Sequence, residues 1–356
     1  MVWLPDSPAF AGIRPPELVW ATLNPSVLIK AHPAWRQFQN TFPQVSGSDL
    51  VIERLQTAHN APYGFYRLRR GTHDWFVKLV PTHGARRQAQ AQGVADFLSE
   101  QGIAVPKLLD GFPCDLTDQV SALGYDYYPG RFSDYSQSDL RRIGHTIGQV
   151  HRALTCFPES EVVKQAAIHR KTMLCERWQR LLQCPDQMQS LPEAGQAILR
   201  THSPEWLWHL MENGQMVHGD LNVGNLWFAD SGELMVLDWE DSLTAWFDPL
   251  KDLAFVIERF VLTVHDASEL AHRSHDLLDA YFEINPVTIQ SDSRFVDLLQ
   301  ALATRSLLIL AESQASGNAK PAESEWQKFC FLYKLTQQYE EPLKQIAAPF
   351  VARQDG

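Results

Sequence analysis

Two short segments hold the residues whose types and spacing could do chemistry. Met216-Val-His-Gly-Asp-Leu-Asn-Val-Gly-Asn-Leu-Trp-Phe contains His218, Asp220 and Asn225, and Leu234-Met-Val-Leu-Asp-Trp-Glu follows with Asp238. Four residues separate Asp220 from Asn225. Such a loop can aim one carboxylate at a substrate hydroxyl while an amide oxygen farther along faces Mg²⁺. Asp238 would be the principal metal ligand, a hard oxygen on a hard cation. The chemistry served by these types in this order is phosphoryl transfer, where positioning and charge neutralisation supply most of the catalysis.

The stretches between these residues explain how they would be positioned. Leu226-Trp-Phe and Leu234-Met-Val-Leu read as short strands around Ala229-Asp-Ser-Gly-Glu, a loop with a hairpin turn signal. That hairpin is expected to bring Asn225 and Asp238 to the same end. A polar turn or a surface strand end would account for either match alone. Two linked matches with apolar strands between them argue for a site.

The count from Asp220 to Asn225 is that of the protein-kinase catalytic loop. His-Gly-Asp-Leu-x-x-x-Asn and Asp-Trp-Glu stand here where protein kinases carry His-Arg-Asp and Asp-Phe-Gly, and in this the chain resembles the aminoglycoside phosphotransferase and choline kinase family of small-molecule kinases. The resemblance implies an α+β, protein-kinase-like bilobal fold and an enzyme using ATP and Mg²⁺ to phosphorylate a small-molecule hydroxyl. It implies Asp220, His218 and Asn225 as the catalytic loop, and Asn225 and Asp238 as metal ligands.

Further matches follow in order. Thr72-His-Asp-Trp-Phe-Val-Lys-Leu-Val reads as a strand with Lys78 near its end, and residues 64–71 as its hairpin partner. Lys78 would hold the α and β phosphates. Residues 86–101 form an expected helix running into Gly102-Ile-Ala-Val-Pro. Gly124-Tyr-Asp-Tyr-Tyr-Pro-Gly130 resembles the interlobe hinge, where Asp126 and Tyr128 would offer backbone groups to adenine. Ser136 reads as an N-cap with Asp139 three residues on, opening a helix striped by Ile143, Ile147, Val150 and Leu154. His151, near its end, is assigned a structural role. Trp246-Phe-Asp-Pro-Leu-Lys-Asp-Leu-Ala resembles the family's Asp-Pro-x-x-Asp-Leu-Ala segment, in which Asp252 braces the catalytic loop; helix capping is a second role for the same carboxylate.

The chain departs from the pattern in two places. The helix after the lysine strand usually supplies a Glu to pair with the lysine, yet no acidic residue lies between Asp74 and Asp96; Gln88, Gln90 and Gln92 are the polar residues available. The loop Gln56-Thr-Ala-His-Asn-Ala-Pro-Tyr-Gly has a single Gly, so Asn60 and Thr57 are its candidates for phosphate contact. These departures keep a second reading open, a catalytically impaired pseudokinase acting as a nucleotide-binding or protein-interaction module. The complete set of Lys78, Asp220, Asn225 and Asp238 favours the enzyme.

The 356 residues, 45% hydrophobic and 21% charged, suffice for two cores. They divide into an N-terminal extension (1–48), a strand-rich N-lobe (49–127) and a helical C-lobe (128–356) carrying the catalytic and metal loops. In the extension, short helices are expected at 16–23 and 33–42, packed against the N-lobe; later helices are expected at 292–313 and 323–340. No apolar run spans a membrane and no signal segment stands at the N-terminus. Five scattered cysteines indicate reduced thiols and a cytoplasmic protein. The net charge of −11 argues against nucleic acid as a partner and is compatible with a cationic substrate such as an amino alcohol or aminoglycoside, with sugars also open. Glu240, Asp241 and Trp246 are the substrate candidates; Trp246 and Phe247 would serve equally as C-lobe packing.

Overall fold

The computed structural model describes residues 18–25, 33–42, 49–56, 62–265, 267–315 and 321–351. They form two compact units. One comprises the described residues up to Arg131 together with Trp227–Glu240. The other comprises Phe132–Leu226 and the described residues from Asp241 onward. The division falls a few residues beyond the expected 127/128 boundary. It also groups the Asp238 segment with the N-terminal unit, because that segment's strands pair there.

The N-terminal unit is built on a sheet of order β1-β2-β3-β4-β6-β5, with β1 Trp20–Leu23, β2 Val51–Leu55, β3 Gly64–Arg70, β4 His73–Pro81, β5 Cys114–Asp115 and β6 Val120–Asp126. Every pairing is antiparallel. The expected hairpin of β3 and β4 forms, with Phe65 opposite Lys78. In β3, burial alternates along Gly64–Leu68, as it must when one face of a strand packs on a core. Leu23 and Trp20 of β1 stand opposite Ile52 and Leu55 of β2. The helix expected at 16–23 is therefore corrected to a strand over Trp20–Leu23. Its edge backbone groups find partners on β2, and that tertiary pairing overrides the local signal.

The helix Pro33–Thr41 forms as expected. It delivers Ala34, Trp35 and Phe38 to the same core as Ile52, Tyr66, Leu68, Val77 and Leu79. Trp35 meets Tyr66 edge-on at 4.8 Å between ring centroids, and Phe42 stacks on Phe112 at 4.2 Å. The helix expected at 86–101 appears as two, Thr82–Gln90 and Gln92–Glu100. Ala91 opens one turn at ψ −9° between them, two residues before Gly93, a weak helix former. A second sheet of this unit orders β10-β9-β7. Its strands are β7 Gly130–Arg131, β9 Leu226–Ala229 and β10 Leu234–Val236. The turn between β9 and β10 closes with Gly232 N–H donating to Ala229 O at 2.9 Å.

In the C-terminal unit, β8 Gln215–Met216 pairs with β11 Trp246–Phe247, and helices make up most of the rest. Ser136 caps the helix Gln137–Leu154, its hydroxyl accepting the Asp139 N–H. Ile143, Ile147, Val150 and Leu154 are buried. This helix lies against Ala267–Phe282. The two backbones approach so closely at Gly144 that a Cβ there would run into the Leu277 carbonyl. The contact sets His151 against Tyr281. The late helices run Arg294–Ala315 and Glu323–Gln338. Among the described residues no helix is long and apolar enough to cross a membrane.

Because Trp35 is only 1% exposed, Trp35→Ala is expected to destabilise the N-terminal unit by about 3–5 kcal/mol, read as a lowered midpoint in chemical denaturation. A change below about 1 kcal/mol would mean that Pro33–Thr41 is not part of the core.

Candidate functional site

In the C-terminal unit the chain leaves β8 into the loop that holds His218, Asp220 and Asn225. Gly219 takes φ +89°, and a Cβ there would sit 2.7 Å from that of Ala245, so glycine is required on both counts. His218 is fully buried. Its Nδ1 accepts the Asp220 N–H at 3.2 Å. Asn222 Nδ2 donates to Asp220 Oδ2 at 2.9 Å, and Asn225 Nδ2 donates to the Asp220 carbonyl at 2.7 Å. The loop folds on itself through Asn222, whose Oδ1 accepts the Gly224 N–H at 2.8 Å. Burial pushes the Asp220 carboxyl above its ordinary range, and the nearby Asp241 charge adds to this. His218, Lys251 and the Asn222 amide pull the other way.

Asp252, entirely buried in the helix Leu250–Ile257, fastens this loop. Its Oδ2 accepts the His218 and Gly219 N–H groups at 3.1 and 3.3 Å and lies 3.4 Å from His151 Nε2. Lys251 Nζ donates to Asp252 Oδ1 at 3.0 Å and to the Gly219 carbonyl at 2.5 Å. Burial alone would raise the Asp252 carboxyl, but Lys251, His151 and His218 outweigh it and hold it well below its ordinary range. His151 is completed by the Tyr281 hydroxyl at 3.0 Å on Nδ1, which agrees with the structural role expected for it. Trp246 pairs opposite Met216 in β11, with the Lys164 ammonium 5.4 Å from its ring, and Phe247 is buried.

In the N-terminal unit, Lys78 and Asp238 form an ion pair. Lys78 is nearly buried, and burial pulls its ammonium down; the charges of Asp238, Tyr125 and Glu240 overcome this and raise it above its ordinary range. Burial also pushes the Tyr125 phenol up to about 12, with Lys78 pulling down and Asp238 and Glu240 adding to the rise. Asp238 takes φ +58°, a left-handed conformation that aspartate tolerates better than most side chains and that recurs at functional sites. Glu240 lies two residues on. Its carboxyl is raised by burial and then by Asp238, against the pull of Lys78 and Gln88.

The helix glutamines do not pair with Lys78. Gln88 Nε2 donates to Glu240 Oε1 at 3.2 Å, and Gln92 donates to Asp96 Oδ1 at 2.8 Å while accepting the Leu108 N–H at 3.1 Å. Asp126 ends β6 opposite Trp75. Tyr127 N–H donates to the Asp74 carbonyl at 3.0 Å, and the Tyr128 carbonyl accepts the Trp227 indole N–H at 3.0 Å. Asn60 and Thr57 lie outside the described residues. Sequence reasoning missed Asn222 and Lys251. The Asp-Leu-Asn-x-Gly run carried a signal for Asn222, since asparagine two residues before glycine favours a side-chain-closed turn; nothing local marked Lys251.

A sequence model described as the phosphotransferase enzyme family matches residues 57–286. No curated protein matches. Among solved structures, a choline/ethanolamine kinase family protein from Mesorhizobium loti is similar at TM-score 0.54 and 14% identity, over 90% of this chain and 98% of that one. A thermostable mutant of aminoglycoside phosphotransferase APH(4)-Ia, in ternary complex with ADP and hygromycin B, is similar at TM-score 0.52 and 14% identity, over 88% and 98%. At these identities the likeness bears on the fold, which is the expected α+β kinase-like one.

Asp252→Asn keeps the shape of the brace and removes its charge, stranding Lys251. It is expected to cost about 3 kcal/mol or more. Because the folded-state carboxyl is depressed, its stabilisation is complete above the unfolded value, about pH 4, and is lost as pH falls through the lower folded value. The stability gap between wild type and Asp252→Asn, measured by urea unfolding, should therefore be flat at neutral pH and narrow below about pH 4. A gap unchanged to low pH would contradict the assignment.

Proposed function

This chain belongs to the phosphotransferase enzyme family, and from that premise we propose that it moves the γ-phosphoryl group of ATP, with Mg²⁺, to a hydroxyl of a small molecule. The observation that carries the reading is the Asp220 loop. Its carboxylate is oriented by the Asn222 amide, and its backbone is locked by Asn225 and by Asp252.

Asp220 accepts or orients the proton of the attacking hydroxyl. Its raised carboxyl is a better proton acceptor than an ordinary aspartate. Lys78 holds the α and β phosphates, and its raised ammonium keeps it charged throughout the physiological range. Asp126 and Tyr128 are the residues we assign to the adenine edge, through backbone groups. The donors also suit Mg²⁺. Among the described residues no group of three or more His, Cys, Asp and Glu forms a metal cage, and Mg²⁺ needs none, being held by one or two carboxylates plus substrate phosphates. Asp238 would supply the carboxylate. Asn225 would supply an amide oxygen, since its Nδ2 is already engaged with Asp220. When bound, the metal neutralises charge developing on the transferred group.

The Asp241 charge acts on the Asp220 carboxyl, and the chain carries a net charge of −11. That favours a cationic acceptor, an amino alcohol or an aminoglycoside, over a neutral sugar. Trp246 is already in contact range of Lys164, and we give it a packing role.

ADP release should appear with one class among choline, ethanolamine, aminoglycosides, sugars and hydroxy amino acids. Asp220→Ala should lower it by at least about a hundredfold while leaving the melting temperature near wild type. Wild-type turnover in Asp220→Ala would remove Asp220 from the mechanism.

A further inference from the structure

The ring of His151 sits in a line of polar groups that runs from the end of the helix Ala267–Phe282 to the Asp220 loop. Asn285 Nδ2 donates to the Tyr281 hydroxyl at 2.8 Å. That hydroxyl lies 3.0 Å from His151 Nδ1, and His151 Nε2 lies 3.4 Å from Asp252 Oδ2. Asp252 Oδ2 in turn accepts the His218 and Gly219 N–H groups. Tyr281, His151 and Asp252 are each without solvent contact. Two glycines one turn apart let these parts meet. A Cβ on Gly144 would strike the Leu277 carbonyl, and one on Gly148 would lie 3.0 Å from the Tyr281 carbonyl and 2.9 Å from the Ile284 side chain. His151 is also held by its backbone, whose carbonyl accepts Gln215 Nε2 of β8 at 2.9 Å.

The proton inventory gives this line one direction. An asparagine Nδ2 only donates, so the Tyr281 oxygen accepts there and its single proton is free for another partner. Burial pushes the Tyr281 phenol above its ordinary value, so the proton stays on it. The acceptor it meets is His151 Nδ1. At the other end an ionised carboxylate only accepts, so Nε2 must carry a proton to meet Asp252. Both ends demand the same neutral imidazole, protonated on Nε2 alone. The other tautomer would aim a lone pair at a buried carboxylate, and a doubly protonated ring would leave the Tyr281 proton buried without an acceptor.

We infer that Tyr281 and Asn285 are positioning residues for the Asp220 loop: together they fix His151 as an Nε2–H donor to Asp252, which holds the backbone amides leading into Asp220. The relay therefore bears on turnover and not on ATP affinity. The inference rests on the reading that Asp220 meets the acceptor hydroxyl.

Tyr281→Phe keeps the ring and deletes the hydroxyl. His151→Gln keeps a donor in the place of Nε2, and His151→Asn keeps one in the place of Nδ1. In protein carrying nitrogen-labelled histidine, long-range proton–nitrogen spectra at neutral pH should show the His151 ring, assigned by its loss in His151→Gln, protonated on Nε2 alone. A ring protonated on Nδ1, or on both nitrogens, would overturn the inference. Tyr281→Phe should lower kcat for ADP release about tenfold with KM for ATP unchanged, and should speed exchange of the Gly219 amide proton by a similar factor. Asn285→Ala, at a half-buried position, should move both the same way by a smaller factor. His151→Gln should stay closer to wild type than His151→Asn. Wild-type kcat and wild-type Gly219 exchange in Tyr281→Phe, or a His151→Asn as active as His151→Gln, would also overturn it. Wild-type protein that releases no ADP with any acceptor would instead overturn the kinase reading, and the His151 tautomer and the Gly219 exchange would then decide the relay alone.

Discussion

The buried carboxylate of Asp252 is the constraint on which the loop of His218, Asp220 and Asn225 depends. One side chain without solvent contact accepts two consecutive backbone N–H groups, from His218 and Gly219, and draws His151 and Lys251 onto its remaining lone pairs. Such a charge is costly to bury unless every lone pair is used. The cost is met by elements distant in sequence: the helix Gln137–Leu154 supplies His151, Ala267–Phe282 supplies Tyr281 behind it, and Gly144 lets those two helices close. Packing of the C-terminal unit is in this way converted into a fixed backbone at Gly219, and hence into a fixed direction for Asp220.

The N-terminal unit arranges its charges differently. Lys78 is held near burial by a sheet whose strands β3 and β6 flank it with Phe65 and Leu123, and its ammonium is kept charged by carboxylates of the Asp238-Trp-Glu segment. Trp239 is itself buried, its indole N–H donating to the Val236 carbonyl at 3.0 Å. The residue between the two carboxylates therefore anchors the segment, next to Asp238 in its left-handed conformation.

What could be read in the sequence was what is local. The hairpin of β9 and β10, the Ser136 cap, the β3–β4 hairpin bearing Lys78 and the stripe through Ile143 to Leu154 each follow from a few consecutive residues with the right period or turn chemistry. The Asp220 loop was legible for the same reason, since its self-closing bonds span only residues 218–225. Trp20–Leu23 was misread as helical because its strand partner lies some thirty residues on, and no local signal reports a vacant sheet edge. Lys251 was overlooked because its meaning comes from the Gly219 carbonyl it reaches. Gln88 looked like a missing charge because the partner that explains it, Glu240, is 152 residues away.

In the proposed reaction Asp238 would serve nucleotide and metal, and Asp220 the acceptor hydroxyl. The most direct test is an equilibrium titration of ATP with and without Mg²⁺ on Asp220→Asn and Asp238→Asn. The account predicts that Asp220→Asn binds ATP with wild-type dependence on Mg²⁺ and that Asp238→Asn loses the tightening that Mg²⁺ brings. Wild-type Mg²⁺ dependence in Asp238→Asn would contradict it.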